Sequence, residues 1–115
     1  KCSLQENAKI HAIVEDVVEA SHNGIISWEI KSNVQPILLQ GKDDYEKTKE
    51  RWNIFEEYFN EKDIKFKKIV SIDGNIISKL VNLIYILDYA SIYLAVINKI
   101  DPTPVKSIDY IKKRL

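Results

Sequence analysis

Two side chains near the start of the chain have the types and spacing for proton transfer: Glu6 at the opening of a helix and His22 in the turn just past its end. A carboxylate can act as a general base, and a histidine exchanges protons near neutral pH. Each also has a purely structural account. Ser3 and Glu6 make a capping-box pattern that sets the carboxylate favourably against a helix dipole, and His22 suits the negative end of the same helix. Lys112 and Lys113 stand in the last turn of a C-terminal helix, where cations are likewise favoured. Asp88 lies on an apolar helix, costly unless paired, and reads as a hydrogen-bonded structural group. His11 has polar neighbours and reads as solvated. Two histidines and one cysteine, widely spaced, make no convincing metal shell. There is no G-x-G-x-x-G, P-loop or G-x-S-x-G pattern.

The elements that must hold these groups follow from periodicity. Ile10, Ile13, Val14, Val17 and Val18 repeat at helical spacing and predict a helix from Leu4 to Glu19, closed by a turn at Ser21 to Gly24. IISWEI at 25 to 30 fits either a strand or a short helix. VQPILLQ at 34 to 40 reads as a buried strand with Pro36 at its start. Asp43 or Asp44 can cap the next helix, whose apolar stripe is Tyr45, Thr48, Trp52, Phe55 and Phe59. A second strand is predicted at Phe66 to Ile72, so strand, helix and strand imply a parallel crossover.

Asn75 to Ile100 is the most apolar segment and predicts a long helix buried on most sides. Its length would allow a membrane span. Against that stand Asp88, which costs roughly 2.5 to 3.5 kcal/mol at a bilayer centre, and the tyrosines at 85, 89 and 93 where a span favours aliphatic residues. A core or subunit-interface helix is the reading adopted. DPTP at 101 to 104 then breaks the chain, with Thr103 as N-cap and Pro104 at the first helical position. In the last helix Val105, Ile108, Ile111 and Leu115 are expected to point inward.

Composition sets outer limits. The 115 residues suit one domain or part of one. The chain begins with Lys1 and has no methionine, from which a lost or undisplayed N-terminal segment is expected. Seventeen basic and seventeen acidic residues cancel, giving no reason to expect nucleic acid or an anionic membrane as partner. The single cysteine, Cys2, allows no internal disulfide, and no signal-peptide pattern opens the chain. A reducing cytoplasm is therefore the expected compartment.

QENAK at 5 to 9, SHNG at 21 to 24 with Trp28, the PILLQ strand, LIYILDYASIYLAV at 83 to 96, and DPTPV with IDYIKKRL to the end resemble one family over nearly the whole chain. It is the C-terminal half of the archaeal and bacterial bifunctional phosphoglucose/phosphomannose isomerases, which have the sugar-isomerase (SIS) fold. The resemblance implies an α/β three-layer αβα sandwich with a parallel sheet, of which residues 1 to 115 are the C-terminal domain and the N-terminal SIS half is absent. It also implies an aldose–ketose isomerase of glycolysis and gluconeogenesis that interconverts glucose 6-phosphate or mannose 6-phosphate with fructose 6-phosphate through a cis-enediolate.

On that resemblance Glu6 is the proton-transferring glutamate, while His22 of the HN motif and Lys112 of the final helix assist ring opening. A one-residue shift would exchange Lys112 for Lys113. Thr103 matches the small polar residue that leaves room for both C2 epimers of the sugar. Many members carry an acidic residue after HN, where this chain has Gly24. The resemblance implies no metal or redox cofactor, and a homodimer in which His22 reaches the neighbouring subunit's site. The phosphate cradle is expected upstream of Lys1, so the 115 residues alone are expected to be inactive. Two rivals differ in class: a non-catalytic SIS module that binds a sugar phosphate and regulates another process, and a structural domain that docks partners.

Overall fold

The computed structural model describes residues 1–115. It is a mixed α/β structure with α1 (Cys2–Asn7), α2 (Val17–Ala20), a 3₁₀ turn (Gly24–Trp28), β1 (Ile37–Gln40), α3 (Glu46–Glu61), β2 (Lys67–Val70), α4 (Ile76–Ile97) and α5 (Lys106–Lys112). The chain divides into two compact units: Lys1–Val14 with Ile84–Leu115, and Glu15–Leu83.

The second unit holds the predicted strand, helix and strand. β1 and β2 pair in parallel, with Ile37 opposite Lys67 and Gln40 opposite Val70. Pro36 sits just before β1, where its missing N–H costs no ladder bond, and its carbonyl accepts from the Lys67 amide at 3.0 Å. The stripe of α3 supplies the core: Phe55 and Phe59 are buried with Leu38 of β1 and Val17 of α2. Phe59, 1% exposed, takes edge-on or tilted contacts from Trp28 at 5.3 Å, Phe55 at 5.8 Å and Phe66 at 5.6 Å. Such aromatic pairs are worth about 0.5 to 1.5 kcal/mol each beyond area burial. The ambiguous IISWEI segment resolves as the 3₁₀ turn that delivers Trp28 to this cluster.

The cap of α3 differs from expectation. Its N-cap is Tyr45, with no side-chain cap bond. Asp44 instead accepts from the Gly41 amide at 2.9 Å and the Trp52 indole at 3.2 Å, so its carboxylate closes the turn after β1 and pins the first large apolar residue of α3. Across the sheet, Gln40 and Lys68 both donate to Glu56 Oε1, at 2.8 and 2.6 Å. Burial raises the Glu56 pKa, but these hydrogen bonds and the Lys68 charge outweigh it and hold the carboxyl below the usual range.

The predicted helix from Leu4 to Glu19 is corrected to two short helices. Residues 8 to 16 are not helical. Lys9 takes a left-handed φ of 56°, and Asp16 starts α2 afresh by accepting from the Val18 amide. Of the predicted stripe only Val17 is buried, while Ile13 is 85% exposed. The capping box does not form either. Ser3 lies inside α1 and its hydroxyl donates to Asp88, a partner outside its own helix.

In the first unit α1 rests on α4 through that bond and through Asn7 donating to Ser91 Oγ at 2.8 Å. Ser91 Oγ donates in turn to the Asp88 carbonyl at 2.6 Å. Asp88 is thus the hydrogen-bonded structural group expected of it. The fully buried residues of this unit, Ala8, Ser91 and Ala95, are all small, which suits close approach of backbones.

The expectation that α4 is buried on most sides is overturned. Only Ser91 and Ala95 of its 22 residues are buried, and Leu80, Ile84, Ile92, Val96 and Ile97 are all exposed. Asp88, Ser91 and Ala95, at i, i+3 and i+7, form the stripe that holds both buried residues, and most of the apolar residues of α4 are exposed. By length and composition α4 is also long and apolar enough to cross a membrane. α5 starts at Lys106 with Val105 as N-cap, two residues later than predicted. Ile108, Ile111 and Leu115 are exposed, against the expected inward face.

Candidate active site

In the first unit an open concavity of about 560 Å³ is lined by Cys2, Gln5, Glu6 and Lys9 on one side and by Pro104, Val105, Lys106, Ser107 and Ile108 on the other. The first set falls at i, i+3, i+4 and i+7, one face of α1 and its exit. Ser3 and Asn7, the i, i+4 pair on another face, hold α1 to α4. Glu6 is therefore presented to the concavity by a helix anchored on its other side. Its carboxylate is exposed and makes no hydrogen bond or ion pair, since the capping box that would have engaged it does not form.

Opposite walls are tied together by Lys9. Its ammonium donates to the carbonyls of Glu6 at 2.5 Å, Pro102 at 3.2 Å and Pro104 at 2.7 Å. Lys106 and Ser107 bring a cation and a hydroxyl to the wall facing Glu6. A carboxylate across a concavity from such donors can take a proton from a bound molecule, and the donors can stabilise the negative charge that results. Sequence reasoning missed Lys9 and Lys106. The hydrogen bonds of Lys9 join positions 93 and 95 residues apart, and no local pattern reports such a meeting.

Thr103 immediately precedes the concavity residue Pro104 and is exposed. Its backbone N–H donates to Asp101 at 2.9 Å. The Asp101 carboxyl is held below its usual range by the Thr103 N–H first, then by the Thr103 hydroxyl and the Lys9 charge. Lys112 is exposed in the last turn of α5 and does not line the concavity. It lies one turn beyond Ile108, at i+4. Lys113 is the C-cap residue and lies two turns beyond Lys106, at i+7.

His22 belongs to the other unit, Glu15–Leu83. It is exposed in the turn after α2, with its backbone N–H donating to the Glu19 carbonyl at 2.9 Å. The glycine after the HN pair has a neighbour that the sequence did not disclose. A Cβ at position 24 would collide with Glu15 Oε2. A carboxylate thus occupies the space that a side chain at position 24 would fill, two residues from His22.

Comparison with known proteins converges on one family. The model of the bacterial phospho-glucose isomerase C-terminal SIS domain matches residues 1–115. Three curated relatives are each called a bifunctional phosphoglucose/phosphomannose isomerase. The protein from Caldicellulosiruptor bescii is 30% identical over 119 residues, that from Aquifex aeolicus 25% over 118, and that from Thermoplasma acidophilum 28% over 116. All of this chain is covered in each, against 35%, 37% and 36% of the relatives, so it spans about a third of their length. No solved structure matches the chain significantly. With its helices, parallel strand pair and whole-chain match, this chain belongs to the family of bacterial phospho-glucose isomerase C-terminal SIS domains.

Proposed function

We propose that these residues are the C-terminal part of an aldose–ketose isomerase that interconverts glucose 6-phosphate or mannose 6-phosphate with fructose 6-phosphate. The family match over residues 1–115 carries this reading, and the names of the three relatives supply the two sugar phosphates. Glu6 is the base that moves a proton between C1 and C2 through a cis-enediolate. Its exposed, unpaired carboxylate in the concavity supports that role. Lys112 and His22 assist ring opening, and Thr103 leaves room for both C2 epimers.

The complete protein is a three-layer αβα sandwich and a cytoplasmic homodimer, with His22 serving the neighbouring subunit's site. The exposed apolar surface of α4 supports burial against further protein rather than solvent. The sugar-phosphate cradle lies in the part of the isomerase that the relatives have beyond this length.

The test is to assay the complete isomerase with fructose 6-phosphate, following glucose 6-phosphate and mannose 6-phosphate separately, beside Glu6→Gln. Formation of both products, with at least about a hundredfold loss in the variant, is expected from removal of a general base. A variant as active as its parent would show that the base lies elsewhere. A parent that binds the sugar phosphate without turning it over would make the domain a sensor.

A further inference from the structure

Lys9 is the best-coordinated cation in the chain and sits in a backbone conformation that needs support. Its φ of 56° is left-handed, where a residue with a Cβ is disfavoured. An ammonium has three N–H donors, and here three carbonyl oxygens take them: Glu6, Pro102 and Pro104. With its protons engaged on backbone, this group is unsuited to deliver one to a substrate. What it does is mechanical. One acceptor belongs to Glu6 itself, and another to Pro104 on the facing wall of the concavity. The segment from Asp101 to Pro104 carries two prolines, which lack the N–H that would tie it into backbone hydrogen bonding.

We propose that Lys9 is a positioning residue for the isomerisation, its ammonium clamping the exit of α1 to the 101–104 segment and so fixing where the Glu6 carboxylate stands against the start of α5. This rests on the reading of Glu6 as the base. A lysine suits the task because a compact ammonium with rotatable donors can meet three carbonyls from different directions, whereas the planar guanidinium of arginine meets them less well.

The experiment compares Lys9→Met, Lys9→Gln and Lys9→Arg with Glu6→Gln in the complete isomerase, by steady-state kinetics with fructose 6-phosphate and by amide hydrogen exchange. In Lys9→Met, kcat falls about ten- to a hundredfold, the scale of loss for a misplaced catalytic group, while KM changes less than about threefold. The apparent pKa values of the pH profile stay where they are, amides between residues 101 and 108 lose protection, and those of β1 and α3 do not. Lys9→Arg recovers part of kcat. Lys9→Gln, which keeps a donor and a polar tip, lies between the two and serves in place of Lys9→Met should that variant not fold. Unchanged kcat and unchanged exchange in Lys9→Met or Lys9→Gln overturn the proposal while leaving the isomerase reading intact, provided Glu6→Gln is inactive. Loss of a limb of the pH profile also overturns it, because Lys9 would then move protons. If Glu6→Gln is fully active, the reading of Glu6 as base fails, and unchanged exchange at 101 to 108 then removes the clamp as well.

Discussion

Asn7 and Ser91, 84 positions apart in the chain, meet through a hydrogen bond of 2.8 Å from the amide to the hydroxyl oxygen. Ser91 is fully buried, and its hydroxyl donates a hydrogen bond to the Asp88 carbonyl. The bond between Asn7 and Ser91 anchors α1 at the residue next to Glu6, which lines the concavity. Asn7→Ala removes the donor and leaves the Ser91 oxygen under-satisfied, at a cost of about 1 to 2 kcal/mol. Ser91→Leu forces a large side chain into a fully buried position and costs about 1 to 3 kcal/mol or more. Denaturant midpoints of the complete isomerase check both, and an Asn7→Ala midpoint equal to wild type would show that the bond contributes nothing.

Phe59 should be the most sensitive apolar position of the Glu15–Leu83 unit. It is 1% exposed and touches aromatic rings from the 3₁₀ turn, α3 and the approach to β2. Phe59→Ala is expected to destabilise by about 3 to 5 kcal/mol, and Phe59→Leu by less, because more of the volume is kept. Ile54, on the same helix but 61% exposed, is the control, with an effect of its alanine variant within about 0.5 kcal/mol.

Glu56 should contribute to acid sensitivity. Its folded pKa is lowered from the ordinary 4.5, since the bonds from Lys68 and Gln40 outweigh burial. A depressed carboxyl stabilises the fold above its unfolded pKa, and that stability is lost as pH falls through the folded value. The loss therefore begins near pH 4.5 and completes at more acid pH. Glu56→Gln should be less stable at neutral pH, by about 1 kcal/mol for a partly exposed pair, and should show a shallower fall in stability on acidification. Thermal melts from pH 7 down to about 3 give the comparison.

The two lysines at the end of α5 follow different residues of the concavity wall. Lys112 ends the helix four residues beyond Ile108, whereas Lys113 is the C-cap, seven residues beyond Lys106. Lys112→Met is expected to lower kcat by about 10²-fold, the lower range for an acid–base group. On the assignment of ring opening to Lys112, Lys113→Met should keep a kcat close to that of wild type. Equal losses in both variants would make their effect one of net charge.

Segments whose short-range pattern matches their packing were legible from sequence. β1, α3 and β2 lie where alternation, turn residues and the Trp52, Phe55 and Phe59 stripe predict them, and the parallel pairing follows from their order. The start of the chain was misread because its apolar spacing suits a helix that no wall covers at Ile13 and Val14. Local pattern favoured the capping box, but Ser3 found Asp88, 85 positions away.

The long helix shows the same limit. Composition determined that α4 is helical and apolar, but hydrophobicity says only which surface avoids water, not what will cover it. Among the candidate residues, the sequence by itself determined the types: a carboxylate at 6, a histidine at 22 and lysines at 112 and 113. Tertiary structure alone decided that Glu6 is left unpaired in a concavity, that Lys9 spends its donors on the carbonyls of residues 6, 102 and 104, and that a Glu15 carboxylate fills the space beside Gly24. Chemistry is carried by side-chain type, which a sequence states directly. Position depends on hydrogen bonds and packing between residues far apart in the chain, which form only when it folds.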